Sequence, residues 1–147
     1  MGAGVAVSAL TLVHWALGTD ATLVHAAFGS SAVLLFAAPN APFSQPRNVV
    51  GGHVLSAAVG SLVGVALDHS LAAGPIAVPA AAGLMVVLRC AHPPAGGTAL
   101  AGAVGATGLQ PELFYVVPSL TGSVLLVATA VLFNNLVVRR PYPDRWN

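Results

Sequence analysis

RCAHPPAGGTAL, residues Arg89–Leu100, sets an arginine, a histidine, two prolines and two glycines into strongly apolar sequence. Pro93 and Pro94 cannot continue a preceding helix, and His92, standing before a proline, is driven towards extended geometry. Gly96 and Gly97 then let a backbone or a ligand approach closely where a new helix begins. In lipid, irregular backbone of this kind survives only where it is buried in protein, lines a wet cavity or lies at the surface. The stretch is therefore the expected working part of a membrane protein.

The rest of the composition supports that setting. Hydrophobic residues make up 56% of the chain and charged residues 6%, with a mean hydropathy of +0.86. Soluble domains carry roughly 25% charged residues, so a soluble globular fold is excluded. Continuous apolar runs, without alternation, exclude a transmembrane β-barrel. The expected class is all-α: a polytopic transmembrane helical bundle forming a single domain over residues 1–147. A net charge of +1 without lysine argues against a nucleic-acid surface. Cys90, the one cysteine, reads as a packing residue. The N-terminus lacks a basic n-region, so the first segment is expected to stay in the membrane.

Six hydrophobic segments follow from the pattern, about Met1–Gly18, Thr22–Ala38, Gly51–Leu67, Pro75–Cys90, Ala95–Thr107 and Pro111–Val138. The fifth is short and the first marginal, which leaves four or five full spans as the alternative. Between the second and third, Pro39–Val50 reads as a polar loop. Threaded alternately, the segments put Arg47, Arg89, Arg139, Arg140 and Arg145 on one side and Asp20, Asp68 and Glu112 on the other. The positive-inside rule makes the arginine side, with both termini, cytoplasmic. Gly60 and Gly64 form a G-x-x-x-G, read here as general close packing rather than a dedicated dimer motif.

The break has an echo. Gly51–Gly60 (GGHVLSAAVG) matches Gly96–Gly105 (GGTALAGAVG) at six of ten positions, offset by 45, and each copy follows a proline-containing loop. His53 aligns with Thr98. The layout suggests an internal parallel repeat with two helix starts converging on one site. Free N–H groups and partial positive charge at helix starts suit an anion. The candidate substrate-binding residues are Arg47, Asn48, Gly51, Gly52, His53, Arg89, His92, Pro93, Pro94, Gly96, Gly97 and Thr98. Each has a plainer alternative: His92 as a helix-end cap, His53 as a packed core histidine, Arg47 and Arg89 as topology or lipid-phosphate anchors. His14, His25 and His69 show no metal-ligand spacing, and no nucleophile–base pair or phosphate loop is present, so no metal, cofactor or enzyme activity is expected.

These motifs resemble the HPP family of integral membrane proteins, named for its His-Pro-Pro. The resemblance is carried by FGSSAVLLFAAPNAPFSQPRNVVGGHVLSAAVG (residues 28–60) and AHPPAGGTAL (residues 91–100), and more weakly by the tail at 139–146. The extra proline in RRPYPDRW departs from the family pattern. The family is usually described with four predicted transmembrane helices, and some relatives append CBS regulatory domains for which 147 residues leave no room. Members in cyanobacteria and plastids look like nitrite transporters. The resemblance thus implies a transporter or channel for a small inorganic anion, nitrite first, set in a bacterial inner (plasma) membrane. The alternatives are a non-transporting scaffold or sensor subunit, or a carrier of another small polar solute. So short a chain makes a thin wall, so a homo-oligomer in the bilayer is expected.

Overall fold

The computed structural model describes residues 1–17, 22–105 and 115–145, and no strand occurs among them. The order is α1 (Gly2–Leu17), α2 (Thr22–Ala37), a 3-10 turn (Pro42–Ser44), α3 (Pro46–Ala66), α4 (Ala73–Val87), α5 (Ala95–Ala103) and α6 (Val116–Leu132). The last helix continues as a π-helix over Phe133–Val138. Asp20, Glu112 and the expected junction between Thr107 and Pro111 lie outside the described residues.

The bounds of α3 and α4 differ from the sequence reading, the first for a proline-specific reason and the second through a left-handed residue at the helix end. The third helix begins at Pro46, not Gly51. Gln45 is extended, and Pro46 takes the first helical position, where its fixed φ fits and its missing N–H is not needed. A run that reads as loop because it holds three prolines is loop only up to the last of them. The fourth helix starts at Ala73, earlier than Pro75, and stops at Val87, short of Cys90. Arg89 there takes a left-handed conformation (φ 55°), and the Cys90 amide donates back to the Met85 carbonyl at 2.9 Å. This closure is of the Schellman type, with an arginine at the position glycine usually holds.

Helix direction follows from the contacts. Gly2 at the start of α1 lies against Phe36 near the end of α2 and Phe133 near the end of α6. Both chain ends are therefore on the same end of the bundle as the 3-10 turn, here termed the mouth. α5 runs parallel to α3, because His92 meets Gly52, Ala99 meets Gly60, and the Ala103 carbonyl lies 3.1 Å from Nδ1 of His69, beyond the end of α3. Nine helical residues cover only about 14 Å at 1.5 Å each, about half a bilayer core. The non-helical segment Cys90–His92 and the turn at Pro93–Pro94 precede α5: the chain leaves the mouth at Arg89 and descends to the level of His53 before that helix begins. Pro46–Ala66 and Val116–Val138 are long and apolar enough to cross a membrane, with mean hydropathies of 1.8 and 2.1.

α3 is the centre, packed against α4, α5 and α6, while α1 covers α2 and α6. Its glycines set how closely α5 approaches. A Cβ on Gly60 would collide with the Ala99 carbonyl oxygen, and one on Gly102 would lie 2.9 Å from the Ser61 amide nitrogen. The G-x-x-x-G of α3 is thus used within the chain, letting two backbones meet without side chains between them. Gly60→Ala should destabilise the purified protein by about 1–3 kcal/mol through overpacking. Gly83→Ala, where the added carbon meets nothing within 4 Å, should change stability by less than about 1 kcal/mol. Thermal or denaturant unfolding in detergent of the two variants tests the difference.

Candidate functional site

At the mouth, Pro42, Gln45, Arg47, Asn48, Arg89 and Arg145 line a cavity of about 350 Å³. Its lining holds three guanidinium groups and no carboxylate. Arg47 and Asn48 come from the first turn of α3, and Arg89 from the left-handed end of α4. Two of these side chains also secure the irregular segment. Arg47 Nη2 donates to the Leu88 carbonyl at 3.1 Å, and Asn48 Nδ2 to the Ala91 carbonyl at 2.7 Å.

Arg145 arrives from the C-terminal tail, which folds back onto the mouth. The Tyr142 hydroxyl donates to the Ser44 carbonyl at 2.7 Å, and Gln45 Oε1 accepts from the amides of Asp144 and Arg145 at 3.1 and 3.2 Å. Gln45 Nε2 donates in turn to the Pro39 and Ala41 carbonyls, so one buried amide ties the tail to the turn. The sequence alone uses Arg145 only to mark the cytoplasmic side, and it gives Gln45 no role. A glutamine set between two loop prolines was the available signal.

Below the cavity, four buried side chains form one hydrogen-bonded line. Thr98 Oγ1 lies 2.8 Å from His53 Nδ1, His53 Nε2 lies 2.8 Å from Ser31 Oγ, and Ser31 Oγ lies 2.8 Å from His92 Nε2. His92 Nδ1 ends the line at 2.7 Å from the Phe43 carbonyl. Ser31, His53 and His92 are fully buried and Thr98 is 1% exposed. The four come from α2, α3, the descending segment and α5. The His53 ring also tilts against Phe28 at 4.5 Å.

The donors can be assigned from the far end. A carbonyl only accepts, so His92 Nδ1 carries a proton. With His92 neutral, its Nε2 accepts from Ser31. The one serine proton has two acceptors in reach, His92 Nε2 at 2.8 Å and the Ala27 carbonyl at 3.1 Å; given to the nearer, it leaves His53 Nε2 to donate to the serine and His53 Nδ1 to accept from Thr98. Both rings are satisfied while uncharged.

The structure thus brings together His53, His92 and Thr98, and separately Arg47, Asn48 and Arg89. The glycines act differently from the sequence reading. Gly51 and Gly52 lie in the second turn of α3, and a Cβ on Gly52 would come within 2.7 Å of His92 Cβ. Gly97 makes an ordinary contact with Ala27, and Gly96 faces Val78 at a distance. Pro93 is exposed and Pro94 half-buried at the head of α5. The first amides of α5 are already engaged, Ala95 with His92, Gly96 with Pro93 and Gly97 with Pro94, at 2.9–3.1 Å. The start of α5 therefore offers no open amide, and the charged groups at the mouth are the three arginines. Ser31 was missed, although it stands inside the FGSSAV stretch as a hydroxyl in an otherwise apolar helix.

Burial pushes the Tyr142 phenol above its ordinary range. The docked form is the neutral one, so docking holds until pH rises past the free phenol's value of about 10 and weakens above it. Tyr142→Phe should weaken docking by about 1 kcal/mol, read as faster amide exchange over residues 140–145 at neutral pH. The wild-type tail should show the same release only at alkaline pH.

The chain is 39% and 37% identical, over 116 residues, to two proteins of Dictyostelium discoideum described as transmembrane proteins. The matches cover 76% of this chain and 37% and 41% of those relatives, so the chain spans about two-fifths of their length. No solved structure matches. The family described as "HPP, transmembrane region" matches residues 1–143, across the descending His-Pro-Pro segment and every helix around it, and the chain belongs to that family of integral membrane proteins.

Proposed function

We propose that the protein is a transporter or channel for a small inorganic anion, with nitrite first among the ions to test. The observation that carries this reading is the mouth cavity, where Arg47, Arg89 and Arg145 converge without a lining carboxylate. Such a cleft between low-dielectric walls raises the local concentration of a small anion. Nitrite itself rests on the family resemblance; the charge pattern alone suits any small anion. The arginine distribution puts the mouth and both termini on the cytoplasmic side. We take the setting to be a bacterial inner membrane, the bundle to cross it six times with α3 and α5 as related segments, and several copies to complete the wall.

A second reading has its own support. His53, His92, Ser31 and Thr98 satisfy one another and are closed off, as in a scaffold or sensor subunit whose polar core serves only to hold the fold. On the transport reading, the same closure makes this a conformation open at the mouth and shut at its waist.

Reconstituted protein should pass nitrite above an empty-vesicle background, with a panel of other small anions setting the preference. Folded protein without excess flux of any of them would leave the scaffold reading. Arg89→Gly separates charge from fold, because glycine relieves the left-handed strain of about 1–2 kcal/mol while removing a guanidinium. Its stability should hold or rise while anion flux falls. Arg145→Ala should lower flux in the same way. Unchanged flux in both variants would remove the cavity from the path.

A further inference from the structure

We propose that the Thr98–His53–Ser31–His92 line is a proton relay through the waist of the bundle, so that this protein moves protons as well as the anion assigned to its mouth. The coupling to anion passage rests on the transport reading above; the relay itself rests on geometry alone. Three links of 2.8 Å join side chains from four separate elements, and a terminal one of 2.7 Å runs to the Phe43 backbone carbonyl. Every link can point the same way, and each member both accepts and donates. A histidine kept only to satisfy the core needs partners, but not partners arranged head to tail.

Beyond Thr98 the line has a continuation. The Tyr115 hydroxyl lies close to the side chains of Thr98 and Ser119, but among the described residues neither the Tyr115 nor the Ser119 oxygen makes a hydrogen bond of good geometry. Tyr115 and Ser119 are fully buried at the start of α6. These buried hydroxyls extend the row of donor and acceptor groups from Thr98 towards α6. At the other end, Phe43 belongs to the turn whose Pro42 and following Gln45 line the cavity.

One transfer balances as follows. Thr98 Oγ1 receives a proton from the far side and passes its own to His53 Nδ1. The Nε2 proton of His53 goes to Ser31, the Ser31 proton to His92 Nε2, and the Nδ1 proton of His92 passes to solvent water at the mouth once the ring turns off the Phe43 carbonyl, which cannot itself take a proton. The number of N–H and O–H bonds is unchanged, no electrons are transferred, and the net result is one proton moved. Turned back, the ring sets an unprotonated Nδ1 against the Phe43 carbonyl, which is repulsive. Resetting therefore requires the Phe43 turn or the His92 ring to move, and the turn is part of the cavity wall. The groups shown against the relay are Phe28 from α2, in ring contact with His53, and Tyr115 at the head of α6, beside Thr98. The described carboxylates, Asp68 and Asp144, have no bond to it.

The test is proton movement in vesicles holding the full chain and a trapped pH dye, driven by a potassium-diffusion potential, with and without a sodium nitrite gradient. Empty vesicles under the same gradients subtract passive crossing of nitrous acid. The wild type should move protons above that background. Losing a positioned proton carrier costs on the order of 10²-fold, so Ser31→Ala and the isosteric Thr98→Val should fall to background, and Thr98→Ser should restore flux. Ser31→Ala leaves two ring nitrogens unpaired; if it does not fold, Thr98→Val carries the test. Absence of protein-dependent proton movement under both conditions, or wild-type rates in Thr98→Val, overturns the relay. Nitrite flux without proton movement defeats the relay and keeps the anion reading. Proton movement without nitrite flux does the reverse.

Discussion

A stretch of non-helical backbone held inside an apolar bundle must have its polar groups satisfied by the protein, since lipid offers no hydrogen bonds. The segment from Leu88 to Pro94 meets that requirement almost group by group. Arg47 and Asn48 bind the Leu88 and Ala91 carbonyls, and the amides that open α5 take those of His92, Pro93 and Pro94. Gly52 leaves space for the segment to lie against α3. Once it descends, α5 needs only nine residues, and His92 is carried from the mouth to the level of His53. The arginine cavity above and the buried line below are two consequences of this one path.

Small residues make the arrangement possible. Gly60 and Gly102 put backbone against backbone between α3 and α5, which fixes the height at which Thr98 meets His53. Gly122 does the same for the Phe28 ring, which covers His53. Without a hydrophobic driving force between helices in lipid, close van der Waals contact and interhelical hydrogen bonds have to supply the association. Here the two kinds of contact alternate along the same interface.

The tail adds a constraint from outside the bundle. Gln45 and Ser44 hold it through side-chain and carbonyl contacts, and this brings Arg145 to the two arginines already at the mouth. Like charges gathered without a lining carboxylate are held apart by water or by an anion. Arg89 holds its place at the mouth from a left-handed backbone conformation at the end of α4.

Composition and apolar periodicity determined the helical membrane class, the six segments and the location of the break, because lipid burial imposes those patterns on every residue. The residues of the site were legible as types: a histidine before two prolines, a diglycine pair, and the alignment of His53 with Thr98, which are in fact bonded. What the linear chain could not express was which groups meet. Pro46 looks like loop until Gln45 is seen to cap it, and Gly51 and Gly52 look like an anion cradle until α3 is seen to have started earlier. Ser31 became central only because α2 packs where both imidazoles point, and Arg145 only because the tail folds back. Those facts depend on contacts 22 to 100 residues apart in the chain, and such contacts are set by how helices close on one another rather than by any local preference.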